Sequence, residues 1–221
     1  MVDPFADLQF FDRNRDFTVM WKNLPHWAQA GTICFITWRT ADSLPMCAIE
    51  KIKQERRELA ISNQLHPNAD WKSAIVDLPP KKRAELYWST VLSWDKQLDN
   101  AAGACVLRHT DLSEIVLKSL LHFDGDRYVL TDAVIMPNHV HLLAAFRDEE
   151  SLERQCTSWK HFTASEINKR MHQSGEFWQV DQFDHLVRDL EDFEKYRDYI
   201  ANNPKKAGLT QGSFRYYSAE S

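Results

Sequence analysis

The chain has 221 residues, 43% of them hydrophobic and 27% charged, with only 6 glycines and 8 prolines. This is enough for one well-buried domain carrying an insertion, and it excludes a disordered or low-complexity polymer. No apolar run approaches the roughly 18–20 residues that cross a membrane, Met1–Lys22 lacks the apolar core of a secretory signal, and a formal charge of −5 excludes a protein basic over its whole surface but not a local basic groove, so a cytoplasmic protein is expected.

Residues 1–28 read as an irregular leader ending at Leu24-Pro25-His26-Trp27. Thr32–Trp38 is rich in β-branched and aromatic residues and predicts a half-buried strand, stopped at Arg39-Thr40-Ala41-Asp42. Residues 43–104 read as a polar, helical insertion. Ser43 can cap a first helix running through Lys51–Leu65, His66-Pro67-Asn68 breaks it, and Pro79-Pro80 precedes a second charged helix over Lys81–Leu98.

Asp111, with Glu114 three residues on, forms a candidate capping box for a helix from Leu112 to His122. Phe123-Asp124-Gly125-Asp126 is a turn. Two strands follow, Arg127–Met136 and His139–Phe146, joined by a bend at Pro137-Asn138. The acidic run Asp148–Ser151 suits the start of a helix over Leu152–Met171, with Trp159, Phe162, Ile167 and Met171 facing a core and Ser174-Gly175 ending it. A short strand lies at Phe183–Val187. Asp189 caps a last helix through Asn202, which Pro204 cannot continue and Gly208 releases. Residues 213–221 read as a tail. The order β-α-β-β-α-β plus a helix predicts an α+β fold: a ferredoxin-like antiparallel sheet with flanking helices, as one domain over residues 29–212.

Cys34, Cys47, Cys105 and Cys156 form no C-x-x-C pair, so neither a zinc framework nor a disulfide pattern is present. The strongest chemical signal is His139-Val140-His141. On a strand the two imidazoles share one face and Val140 takes the other. Both can then reach one divalent ion, although an isolated pair of this kind also fits a half-exposed strand.

The longer string Met136-Pro137-Asn138-His139-Val140-His141-Leu142-Leu143 resembles the histidine–hydrophobe–histidine strand of single-strand-specific tyrosine transposases. More narrowly, it is similar to the branch associated with repetitive extragenic palindromes. Tyr199-Ile200-Ala201-Asn202-Asn203-Pro204-Lys205-Lys206-Ala207-Gly208-Leu209 is similar to that branch's tyrosine segment. Phe177-Trp178-Gln179, Asp184-His185-Leu186-Val187-Arg188-Asp189 and Phe35–Thr40 also fit. The resemblance covers about residues 25–218; the insertion at 43–104 and the acidic balance depart from it.

The resemblance implies a transposase acting on single-stranded or hairpin DNA through Tyr199, with a non-cleaving hairpin-binding protein as the alternative. It implies metal ligation by His139, His141 and an amide residue, a role that falls to Asn203. Tyr199 and Asn203 stand at i and i+4 on one helical face, although Asn203 can equally cap the helix before Pro204. Mg²⁺ is the expected ion and Mn²⁺ a substitute, with no small-molecule cofactor. Attack by the tyrosine leaves a 5′-phosphotyrosine and a free 3′ hydroxyl. Tyr196 lacks the Ile-x-x-Asn-Pro context and is read as packing. Lys160, Arg188, Lys205 and Lys206 are candidate phosphate contacts, and Trp178 a candidate base-stacking residue. No membrane partner is expected, and the chain acts as a monomer or homodimer.

Overall fold

The computed structural model describes residues 8–21, 25–67, 78, 79, 82, 85, 86, 89, 93, 96, 97, 102–180 and 182–219. They form two compact units, one of residues 1–41 with 105–221 and one of residues 42–104.

The larger unit holds a five-stranded antiparallel sheet. Its strands are β3 (Ile33–Arg39), β4 (Tyr128–Ile135), β5 (His139–Phe146), β6 (Phe183–Leu186) and β7 (Arg215–Ser218), in the order β6-β3-β5-β4-β7. Helix α2 (Thr110–Leu121) lies between β3 and β4 in the chain, and α3 (Glu149–Met171) between β5 and β6. Omitting the edge strand β7, the four remaining strands have the βαββαβ connectivity and the order of a ferredoxin-like sheet. Helix α4 (Leu190–Lys206) follows β6.

Strand β5 is central and every residue in it is buried, so both of its faces need a cover. One face belongs to the main core. There Cys34, Ile36, Trp38, Val140, Leu142 and Ala144 pack with Leu112, Val116 and Leu120 of α2 and Leu152, Trp159 and Ile167 of α3. Trp38 stacks on Trp159 at 5.8 Å. Tyr128 donates to the Leu120 carbonyl (2.6 Å) and accepts from the Trp159 indole (3.3 Å), so the polar atoms of Tyr128 and Trp159 are satisfied inside the core. Phe162, expected inside, is 52% exposed, and the buried stripe continues from Trp159 through Thr163 and Ile167 instead.

Several boundaries differ from expectation. The leader contains two paired strands, β1 (Thr18–Trp21) and β2 (Pro25–Ala28). β2 is tied by His26 to the buried carboxylate of Asp184 on β6, a contact 158 residues away in the chain and invisible to local pattern. Helix α2 starts at Thr110 with His109 as its N-cap and no side-chain cap. Asp111 lies in its first turn and pairs with Arg170 (3.7 Å), while Glu114 reaches Lys118 and Arg215 instead of the backbone. Asp148 and Asp189 do cap α3 and α4, accepting from the N–H of Ser151 and of Asp192. Helix α4 runs through Pro204 to Lys206, because a proline this near the end removes one backbone bond and the last turn closes with Ala207 donating to Asn203 (3.0 Å) and Leu209 to Pro204 (2.9 Å). The segment read as a tail holds β7, which pairs with β4 from Asp132↔Ser218 to Ile135↔Arg215.

In the smaller unit, α1 (Met46–Ser62) has Pro45 rather than Ser43 at its N-cap. Leu44, Ala48 and Ile52 form its apolar cluster. Asp42 accepts from the Ala104 N–H (2.7 Å), and a Cβ on Gly103 (φ +87°) would stand 2.7 Å from the Asp42 carbonyl, so the junction requires glycine. The second helix expected over Lys81–Leu98 lies largely outside the described residues. Among the described residues, no helix is long and apolar enough to cross a membrane.

Candidate metal and nucleophile centre

The other face of the sheet carries the polar residues. The register Arg39↔His139, Thr37↔His141 and Phe35↔Leu143 puts these six side chains on one side of β3 and β5. Helix α4 covers this side. Its buried residues Phe193, Tyr196, Ile200 and Asn203 recur at three- and four-residue spacing and form one stripe. Tyr196 stacks on Phe35 at 4.5 Å, which makes it the packing residue that its sequence context suggested. Tyr199 lies on the margin of the stripe and is half-buried. Its ring meets His141 at 5.2 Å and Phe35 at 5.8 Å between centroids, both edge to face.

The hairpin turn fixes the two histidines. Met136 N–H donates to the His139 carbonyl (2.8 Å), Thr40 N–H to Asn138 (2.8 Å) and Leu107 N–H to Pro137 (3.1 Å). The histidine rings lie 4.7 Å apart. His139 Nδ1 donates to the Asn138 side-chain oxygen (2.7 Å), which leaves Nε2 as an acceptor. The Asn203 amide nitrogen stands 3.4 Å from His141 Nε2. Donation there puts the His141 proton on Nδ1, where it is given to Thr37 Oγ1 (2.7 Å). Sequence reading missed Thr37, because a threonine in a strand carries no signal until its cross-strand partner is known.

Three acceptors therefore converge: Nε2 of His139, Nε2 of His141 and Oδ1 of Asn203. The first and third are buried without any hydrogen-bond donor. Burial pushes the His139 imidazole down to about 3, with the Asn203 side chain acting in the opposite direction. Burial also holds His141 well below the usual histidine range, helped by His139 and by the charge on Lys206. Both rings are thus neutral at physiological pH, the form in which imidazole binds metal. Buried lone pairs without donors are costly, and the two orphaned ones, on His139 and Asn203, are those that a divalent cation would satisfy. Among the described residues no three His, Cys, Asp or Glu side chains converge, so the third donor of this set is an amide.

The remaining candidates are scattered. Lys206 is exposed, with its ammonium 5.3 Å from the Tyr199 ring centre, and Lys205 beside it is exposed. Arg188 is exposed at the foot of α4. Lys160 donates to the Val180 carbonyl (2.6 Å) and to Gln182 (2.7 Å) and so ties down a loop. Trp178 is buried in the main core, edge-on to Trp38, with its indole donating to Thr163 (2.8 Å). No face of it is open to a base.

A further ion pair bears on the centre. β4 has a bulge between Leu130 and Asp132, which turns Asp132 toward the α4 side. Its buried carboxylate meets Arg197 Nε at 3.2 Å, two residues before Tyr199.

No curated protein matches the chain. The chain is similar to a solved structure of a REP-associated tyrosine transposase bound to a REP hairpin, with 14% identity, a TM-score of 0.43, and coverage of 87% of this chain and 77% of that one. Residues 111–203 match the family model described as IS200-like transposase. That stretch runs from the first turn of α2 to Asn203 and contains His139, His141 and Tyr199, so it is this part of the chain that is similar to the IS200-like transposases.

Proposed function

We propose that this protein is a metal-dependent DNA transposase and endonuclease that cleaves and rejoins single-stranded or hairpin DNA through a 5′-phosphotyrosine link on Tyr199, acting on repetitive palindromic elements. The observation that carries the reading is the set of three buried acceptors beside a half-buried tyrosine of the same chain, two of them lacking any donor. In this reading His139, His141 and Asn203 hold Mg²⁺, with Mn²⁺ able to substitute. When bound, the ion polarises a non-bridging oxygen of the scissile phosphate and offsets charge on the leaving 3′ oxygen.

The chain's own residues do the rest. Asn138 and Thr37 hold the imidazole tautomers that leave both Nε2 atoms unprotonated. Helix α4 orients Tyr199, which answers the entropic demand of attack at phosphorus. The tyrosine oxygen forms its bond to phosphorus as the bond to the 3′ oxygen breaks. The phenol proton passes to solvent and the 3′ oxygen is released as a hydroxyl. A phenol is a weak nucleophile with an ordinary pKa near 10, and the Lys206 ammonium stands 5.3 Å from the centre of its ring. Attack of a 3′ hydroxyl on the phosphotyrosine reverses the step, so no ATP is needed. Lys205 and Arg188 remain phosphate contacts in this reading; Trp178 does not bind DNA.

The test is incubation with a labelled DNA hairpin bearing single-stranded flanks, in Mg²⁺ or Mn²⁺, followed by denaturing gels. The expected result is an SDS-stable protein–DNA adduct that Tyr199→Phe does not form. Adducts of equal yield from Tyr199→Phe would remove the assigned nucleophile. Tight hairpin binding with no cleavage in either metal would favour the non-cleaving alternative.

A further inference from the structure

The described residues include three exposed large aromatic side chains: Phe17 (38%), Phe162 (52%) and Tyr216 (42%). Phe17 is stacked on Trp27, with centroids 5.3 Å apart and planes 9° from parallel, so one of its faces is taken. Phe162 is on α3, which covers the core side of the sheet, away from the histidines. Tyr216 differs. It pairs with Val134 across β7 and β4, and Val134 pairs with His141 across β4 and β5. Residues directly opposite in a sheet share a face. Thr37, His141, Val134 and Tyr216 therefore form one row across the sheet, on the side of the candidate centre.

Adjacent strands are about 4.8 Å apart, which puts the Tyr216 backbone roughly 10 Å from that of His141. Consecutive bases of an extended single strand lie within this range of a bound phosphate. The neighbour Tyr217 points to the opposite face, where its hydroxyl reaches Asp124 (3.4 Å), so the edge strand is held in register while Tyr216 stays open. A phenol ring on a rigid strand loses little freedom when it stacks, and any base offers it a π-face.

We infer that Tyr216 is a stacking platform for an unpaired nucleobase flanking the scissile phosphate. The inference rests on the strand-transfer reading above and adds a subsite to it. The ligand is a single-stranded nucleobase, with no demand for one base identity. The phenol ring supplies the contact and its hydroxyl only solubility, so phenylalanine or tryptophan should serve in its place.

The experiment uses the full chain with Tyr199→Phe, which prevents cleavage, and a DNA hairpin with 2-aminopurine placed singly along each single-stranded flank. With Tyr216 present, one flanking position should be quenched on binding. Tyr216→Ala should remove that quench and weaken binding by roughly tenfold. Tyr216→Phe and Tyr216→Trp should keep both, and unchanged thermal melting of Tyr216→Ala would show that an exposed side chain, not the fold, was altered. Undiminished quench and affinity in Tyr216→Ala would overturn the platform while leaving the strand-transfer reading intact. Failure of every variant to bind the hairpin would overturn both.

Discussion

The Asp132–Arg197 pair offers a test of how Tyr199 is kept over the histidines. Asp132 is 1% exposed and Arg197 19%, with 3.2 Å between carboxylate and guanidinium. Burial raises the Asp132 pKa more than Arg197, Ser218 and Thr131 together lower it. A raised carboxylate pKa means that ionised Asp132 subtracts from stability at neutral pH, a loss that disappears as the pH falls. The pair therefore contributes position rather than stability, as buried pairs often do. Asp132→Asn removes the buried carboxylate from Arg197, whose other contacts include Glu194, 3.6 Å away on the same helix, and the Phe193 ring. Breaking a buried pair typically costs about 3–5 kcal/mol; the partial exposure of Arg197 reduces this to about 2–3 kcal/mol. A displacement of about 1 Å at the nucleophile slows reaction roughly a hundredfold. Urea unfolding should register the first effect, and single-turnover hairpin cleavage below the unfolding midpoint the second, with hairpin affinity little changed. The double variant Asp132→Leu/Arg197→Met separates them: stability at or above wild type, cleavage still slow. Wild-type cleavage by Asp132→Asn, or by the double variant, would refute the reasoning.

Asn203→Ala should change stability by under about 1 kcal/mol, because it removes an orphaned acceptor along with some packing, yet weaken Mn²⁺ binding about tenfold or more by calorimetry; undiminished Mn²⁺ affinity would take Asn203 out of the ligand set. The unfolded histidines take up protons near pH 6.5, whereas folded His139 stays neutral down to about 3 and His141 is also depressed. Metal-free stability should then be full above pH 6.5 and fall below it by up to about 1.4 kcal/mol per pH unit for each imidazole. His139→Leu/His141→Leu should flatten that slope in urea titrations between pH 6.5 and 5. Trp178→Ala should destabilise the protein by about 3–5 kcal/mol, while Trp178→Phe should bind hairpin DNA as wild type does, since the indole is core and not a DNA contact.

What was legible in the sequence was local or periodic. The alternation of His139, Val140 and His141 carries strand and face together, and the i, i+4 spacing of Tyr199 and Asn203 carries a shared helix face. Asp189 caps as expected because an N-cap needs only its own backbone, while Asp148, read only as part of an acidic helix start, proves to be the N-cap of α3. Asp111 failed as a cap because two tertiary partners, Arg170 for itself and Arg215 for Glu114, compete for the carboxylates of the proposed box. Thr37, Asp132 and Tyr216 were illegible for one reason: each matters through its cross-strand neighbour, and register is not written in any single strand. The bulge before Asp132 also reverses which β4 residues face α4, a shift that strict alternation cannot foresee.

Register is also where fold and chemistry become inseparable. A strand's side chains have a period of two, so a slip of one residue in β5 would send His139 and His141 into the tryptophan core and Val140 and Leu142 under the tyrosine helix. The two faces would then both be wrong: neutral imidazoles without donors against Trp38 and Trp159, and no ligand beneath Tyr199. Three backbone bonds at Pro137-Asn138 oppose that slip, and two of them come from outside the hairpin, from Thr40 and Leu107. The main core opposes it as well, because Val140, Leu142 and Ala144 fill it only in this register. The hydrophobic face of β5 thereby positions the polar one. The same packing that stabilises the fold keeps buried, donorless lone pairs together where a cation can meet them.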